Sequence, residues 1–176
     1  VAELGIVPVV VVENPGHAIP LADALAAGGL PVVEVTFRTA AAAEVIRLIR
    51  RERPQMMVGA GTVISPENVK AAIAAGAQFG VAPGCNPQIV SLATRLGLPF
   101  VPGICTPSEI ETAMSLSCRL LKYFPCEAVG GLPLLNAIAG PFRHTGVRFM
   151  PSGGVTPENL SAYLSSDLVT CAGGTW

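Results

Sequence analysis

Short apolar runs rich in Val, Ile, Leu and Phe recur along the chain at intervals of about 20 residues, most of them closed by Gly, Pro or a hydroxyl residue. They occupy residues 7–12, 32–37, 56–62, 79–84, 100–105, 120–125, 148–153 and 168–173. Between them lie amphipathic or Ala-rich stretches of helical length at 17–27, 41–51, 66–75, 87–96, 107–116, 132–139 and 157–164. Strands alternating with helices imply parallel βαβ units. Eight strands predict an α/β chain closed into a (β/α)8 TIM barrel, a fold for which about 200 residues is already small. The chain ends at Trp176, just after the last strand, so the eighth helix is expected to be absent from it. An open doubly wound sheet is the alternative, and the lack of G-x-G-x-x-G after the first strand counts against it. Ser65-Pro66-Glu67 and Thr156-Pro157-Glu158 each offer a hydroxyl N-cap, Pro at the first helical position and an acid in the first turn.

Polar residues inside or at the ends of these strands carry the chemistry, because active sites of such barrels sit at the C-terminal strand ends. Lys122 interrupts the apolar run Leu120-Leu121-Lys122-Tyr123-Phe124-Pro125. A lone ammonium there must find a partner, reach water or lose its proton, and a neutral amine is a nucleophile for carbonyl carbon. Taken alone it fits a lysine that snorkels to solvent. In the run 32–39, strand alternation puts Glu34, Thr36 and Arg38 on one face and Val33, Val35 and Phe37 on the other, against helices. Glu34 and Arg38 could equally be an internal pair that only fills space. Gly59-Ala60-Gly61-Thr62 lets something approach the backbone next to a hydroxyl. Pro83, in Ala82-Pro83-Gly84, stiffens the next rim. Glycine pairs follow the seventh and eighth strands, Ser152-Gly153-Gly154 and Gly173-Gly174-Thr175, where barrels cradle phosphate with backbone amides. Tight turns are the plainer reading of either pair by itself.

Composition narrows the class. With 176 residues, 51% hydrophobic and 13% charged, the chain fits one folded domain over 1–176 and not a disordered one. A net charge of −1 without a basic stripe argues against nucleic acid. No apolar run reaches the roughly 18–20 residues of a membrane helix. Five scattered cysteines without C-x-x-C read as reduced, mostly buried thiols of a cytoplasmic protein. Val1, with neither Met nor a signal-peptide pattern, reads as a trimmed start. His17 and His144 are expected at the surface, and no histidine pair has metal-ligand spacing, so no metal or other cofactor is expected.

Glu-Val-Thr-x-Arg-Thr at 34–39, Val-Gly-Ala-Gly-Thr-Val at 58–63 and Gly-Ala-Gln-Phe at 76–79 form a first group of motifs. Pro-Gly-Ile-x-Thr-Pro-Ser-Glu at 102–109, Lys-x-Phe-Pro-x-Glu at 122–127, Gly-Pro-Phe at 140–142 and Gly-Gly-Thr-Trp at 173–176 form a second. With these, residues 7–176 resemble the 2-keto-3-deoxy-6-phosphogluconate (KDPG) aldolases, a family that includes 4-hydroxy-2-oxoglutarate (KHG) aldolase activity. The resemblance implies that Lys122 forms a Schiff base with a ketone and that Glu34 transfers protons. It implies that Arg38 and Thr62 hold a pyruvate carboxylate, with Pro83 beside it. Ser152, Gly153, Gly154, Gly173, Gly174 and Thr175 would hold the phosphate of a phosphorylated keto acid. It further implies a homotrimer and no metal. Ser152 stands where threonine is usual and Thr175 where serine is usual, so both keep a hydroxyl. Cys126 replaces a usual alanine, and 143–146 is slightly longer than usual. Another phosphate-binding barrel enzyme, an isomerase or synthase, or a non-catalytic binder of a phosphorylated ligand are the alternatives; neither needs an imine.

Overall fold

The computed structural model describes residues 4–175. Val1 and Trp176, on which the start of the chain and the last motif were read, lie outside the described residues. The order is β1 (Ile6–Val10), α1 (Ala18–Ala27), β2 (Val32–Thr36), α2 (Ala42–Glu52), β3 (Met57–Gly61), α3 (Pro66–Ala75), β4 (Phe79–Val81) and α4 (Pro87–Arg95). It continues β5 (Phe100–Val101), β6 (Gly103–Ile104), α5 (Pro107–Ser115), β7 (Leu120–Tyr123), α6 (Cys126–Val129), α7 (Gly131–Ala139), β8 (Arg148–Pro151), α8 (Pro157–Leu164) and β9 (Ala172–Gly174). The helix starts follow the expected chemistry: the Ser65 hydroxyl accepts from Asn68 N at 3.2 Å, and Thr106 and Glu109 form a reciprocal capping box.

All recorded strand pairs are parallel and build a curled sheet in two hydrogen-bonded stretches, β5-β4-β3-β2-β1-β9 and β6-β7-β8. β5 and β6 are the halves of the single strand expected at 100–105. They separate at Pro102, which has no amide to give to a ladder. Across the remaining gaps, Gly103 N donates to Gly84 O at 3.2 Å, and isolated parallel bridges join Phe149 to Val169 and Ser152 to Gly173.

Alternation along the strands sorts the core. Val33 and Val35 of β2 pack with Val45, Ile46 and Ile49 of α2. Leu121 and Tyr123 of β7 pack with Ile110 of α5 and Leu135 of α7. Burying each such large aliphatic side chain stabilises the fold by roughly 1.5–3 kcal/mol. The opposite strand faces meet in a smaller apolar floor of Val7, Val32, Val81, Met150 and Cys171. Polar residues lie beyond that floor, toward the C-terminal strand ends.

Some expected boundaries shift. A 3-10 turn (Pro15–His17), capped by Asn14, precedes α1, so His17 ends that turn and stands as the N-cap of the helix without a side-chain capping bond. The last strand is Ala172–Gly174; ahead of it Val169 N turns back to Ser166 O, and 168–170 makes only one isolated bridge, with Phe149 N donating to Leu168 O and Thr170 N to Phe149 O. α6 was not expected at all; four residues carry no readable periodicity.

Candidate active site

β7 presents Lys122 to the inside of the curl because its neighbours Leu121 and Tyr123 are taken by the outer core. Lys122 is 6% exposed. Its backbone pairs with Gly103 on one side and Met150 on the other. The Nζ donates to Glu34 Oε1 at 3.4 Å and stands 5.4 Å from the centroid of the Phe124 ring. Thus the lysine does not snorkel to solvent. Two buried ions need one another, since removing either strands the other charge without water.

Glu34 is fully buried at the middle of β2. Room for it comes from Gly61 on the next strand: a Cβ there would sit 2.3 Å from Glu34 Oε1. The small residues of β3 therefore admit side chains of neighbouring strands; a Cβ at Gly59 would likewise strike the Phe79 ring, at 2.1 Å. Glu34 Oε2 is buried with no hydrogen-bond partner among the described residues. A carboxylate with one oxygen toward an amine and the other free is equipped to accept a proton from a third group.

Arg38 lies just past the end of β2 and is exposed. Its Nε donates to the Thr62 hydroxyl at 3.3 Å. Thr62 holds φ at 55°, a left-handed conformation that is costly for a β-branched residue and clusters at functional sites. Thr36 and Thr39 are spent on structure: their hydroxyls donate to the carbonyls of Val10 at 3.0 Å and Val12 at 2.7 Å.

The glycine loops meet beside Lys122. A cavity of about 80 Å³ is lined by Arg38, Lys122, Ser152, Gly153, Gly154, Gly173, Gly174 and Thr175, with Phe124 and the valines Val9 and Val155. Gly153 and Gly154 have φ of +87° and +92°, accessible to glycine at little cost. A Cβ on Gly173 would lie 2.3 Å from Ser152 Oγ, so this glycine makes space for the hydroxyl. Ser152 is 3% exposed and its Oγ has no partner among the described residues. A buried hydroxyl left unbonded at a cavity wall is costly unless a ligand completes it.

Thus the fold brings Lys122 to Glu34, and Arg38 to Thr62, and gathers Lys122, Arg38 and the six glycine-loop residues on one cavity. Pro83 is not among the residues lining it. It is exposed and lines a separate cleft of about 340 Å³ with Val63, Ile64 and Ile89. A larger groove of about 640 Å³ along Val10, Val12, His17 and Leu21 shares Val9 and Thr175 with the small cavity but not Lys122. His17 and His144 are exposed, as expected. Among the described residues no three His, Cys, Asp or Glu side chains are grouped to hold a metal ion. Sequence reading missed Phe124 as the ring beside the lysine. It also missed the Tyr163 hydroxyl, which donates to the Glu127 carboxylate behind the glycine loop.

An amine and a carboxylate buried together on the inner face of parallel strands, next to an anion cradle, are the equipment of an enzyme that works on carbonyl compounds. The KDPG and KHG aldolase family profile matches residues 1–176. The chain is 46% identical over 171 residues to the KHG/KDPG aldolase of Escherichia coli K12, covering 97% of this chain and 79% of that protein. Among solved structures it is similar to the KDPG aldolase of Legionella pneumophila, with pyruvate captured as a covalent carbinolamine intermediate. That match has a TM-score of 0.95 and 38% identity, over 99% of this chain and 84% of the other. It is also similar to the KDPG aldolase of Zymomonas mobilis with 3-phosphoglycerate, at a TM-score of 0.94 and 39% identity, over 99% and 83% of the two chains. This chain belongs to the KDPG and KHG aldolase family.

Proposed function

We propose that this chain is a class I aldolase. It cleaves 2-keto-3-deoxy-6-phosphogluconate to pyruvate and glyceraldehyde 3-phosphate, and 4-hydroxy-2-oxoglutarate to pyruvate and glyoxylate. The observation that carries the reading is the 3.4 Å contact between buried Lys122 Nζ and Glu34 Oε1. An isomerase, a synthase or a simple phosphate binder needs no imine, whereas an amine buried beside a proton-transfer carboxylate suits one.

Glu34 takes a proton from the Lys122 ammonium, the freed amine adds to the C2 carbonyl to give a carbinolamine, and Glu34 returns the proton to the departing hydroxyl, which leaves as water and gives a protonated imine. Glu34 takes the proton of the C4 hydroxyl. The C3–C4 bond breaks as its electrons flow into the imine, and the aldehyde leaves. Glu34 returns its proton to C3 of the resulting enamine, and water hydrolyses the imine to free pyruvate and Lys122. The unpartnered Glu34 Oε2 supports this shuttle, because it can face a substrate proton while Oε1 faces the amine. Arg38 binds the pyruvate carboxylate through its planar fork and Thr62 adds a hydroxyl, with Pro83 at the neighbouring rim. Ser152, Gly153, Gly154, Gly173, Gly174 and Thr175 hold the phosphate.

The curled sheet is read as one closed (β/α)8 barrel forming a single domain over 1–176, with β5 and β6 as one strand. The links Gly103 to Gly84 and Ser152 to Gly173 support closure. The homotrimer rests on the family resemblance and the cytoplasmic setting on the scattered, unpaired cysteines; among the described residues no helix is long and apolar enough to cross a membrane. The reaction is tested by coupling released pyruvate to lactate dehydrogenase. Pyruvate is expected in equal amount to glyceraldehyde 3-phosphate, and no pyruvate from either substrate would contradict the assignment.

A further inference from the structure

The glycine loop after β8 is held from behind by the short helix that follows Lys122's strand. Cys126 N donates to Ser152 O at 2.8 Å, and Glu127 N donates to Gly153 O at 3.1 Å. The Cys126 thiol donates to the same Gly153 carbonyl at 3.1 Å. In a planar trans peptide the N–H points opposite to the C=O. Turning the carbonyls of Ser152 and Gly153 toward α6 therefore turns the amides of Gly153 and Gly154 away from it. Both residues line the cavity, and neither amide has an acceptor among the described residues. The unpartnered Ser152 hydroxyl adds a third donor at the same wall.

The support is itself anchored. Cys126 is fully buried, and burial pushes its thiol upward, so it keeps the proton it donates. Tyr163 of α8, 2% exposed, donates its hydroxyl to the Glu127 carboxylate. Gly154 rests on the Glu127 stem, where a Cβ on the glycine would come within 2.6 Å of Glu127 Cβ.

We propose that Cys126, backed by the Tyr163–Glu127 pair, is a positioning residue that aims the Gly153 and Gly154 amides at the phosphate end of the substrate without touching it. This rests on the phosphate reading of the cavity. It also gives a role to a position where the family resemblance leads one to expect alanine.

The test compares Cys126→Ala and Cys126→Ser on 2-keto-3-deoxy-6-phosphogluconate and on 4-hydroxy-2-oxoglutarate, with competitive inhibition by inorganic phosphate measured in parallel. Removing one weak hydrogen bond from the loop is expected to raise KM for the phosphorylated substrate, and Ki for phosphate, about two- to tenfold. Its kcat, and both constants for the short substrate, are expected to stay near the parent values. Serine, which keeps a donor, is expected to recover part of the loss. Equal changes on both substrates, no change, or a serine variant no better than alanine would overturn the proposal. If Cys126→Ala does not fold, Tyr163→Phe must give the same selective rise in KM, and its failure to do so overturns the proposal equally. A parent enzyme that cleaves neither substrate would instead overturn the aldolase reading, so the two failures are distinguishable.

Discussion

Gly61 gives Glu34 its position: a Cβ on Gly61 would stand 2.3 Å from Glu34 Oε1 and 2.8 Å from its Cγ. Gly61→Ala therefore pushes the carboxylate away from Lys122 while keeping every titratable group. A shift of about 1 Å at a reacting group costs on the order of 10²-fold in rate. Deuterium exchange at pyruvate C3, followed by NMR, is expected to fall by about that factor in a protein with an unchanged circular dichroism spectrum. Exchange at the parent rate would show that Glu34 is not where its proton chemistry is done.

Glu34→Gln keeps the shape but removes the base. Imine formation with pyruvate is expected to persist, while C3 exchange and cleavage slow by roughly 10²–10⁴-fold. Borohydride trapping and exchange measured on the same sample separate the two steps. Undiminished exchange would make Glu34 a structural partner of Lys122 only.

Ser152 carries a buried hydroxyl without a partner. Ser152→Ala is expected to raise Tm by about 2–4 °C, the shift for roughly 1 kcal/mol of relieved desolvation. It is also expected to raise KM for the phosphorylated substrate about tenfold, as for the loss of one charge-assisted hydrogen bond. A lower Tm with unchanged KM would remove Ser152 from the ligand side of the cavity.

Gly154→Val acts differently from a simple plug. The structure directs a side chain at Gly154 into Glu127, not into the cavity, and φ of +92° is strained for valine. The loop must move, and kcat/KM for the phosphorylated substrate is expected to fall about 10²-fold or more, near 3 kcal/mol. Cleavage of 4-hydroxy-2-oxoglutarate, which has no phosphate, is expected to change far less. Equal losses on both would withdraw support from the phosphate site.

Two buried tyrosines set an alkaline limit. Burial pushes Tyr123 up to about 12, and Tyr163 is raised by burial and then by its bond to Glu127. In the unfolded chain both titrate near 10. Above that pH the unfolded chain binds fewer protons than the native one, so stability is full below about pH 10 and falls as pH rises toward 12. Denaturant midpoints at pH 8, 10 and 11 are expected to drop in that order between the last two; Tyr163→Phe is expected to flatten the fall.

Much of this site was legible because strand alternation is a local rule. Val33 and Val35 had to face helices, so Glu34 had to face inward, and the same rule turned Lys122 inward between Leu121 and Tyr123. What the sequence hid depends on contacts distant along the chain. The β3 glycines were read as letting something approach the backbone, but the sequence did not show that it is the Glu34 and Phe79 side chains that do so. Tyr163 and Glu127 are 36 residues apart and share no pattern. Pro83, just past the end of β4, faces a separate cleft with Val63, Ile64 and Ile89, a placement that depends on contacts no local pattern shows.

The central claim is that Lys122 forms the imine, and borohydride reduction in the presence of pyruvate tests it most directly. Peptide mass mapping is expected to find the reduced pyruvyl group on Lys122, and Lys122→Arg, whose guanidinium stays protonated, is expected to give neither adduct nor turnover. A stable adduct on Lys70, or active protein that gives no adduct at all, would contradict the account.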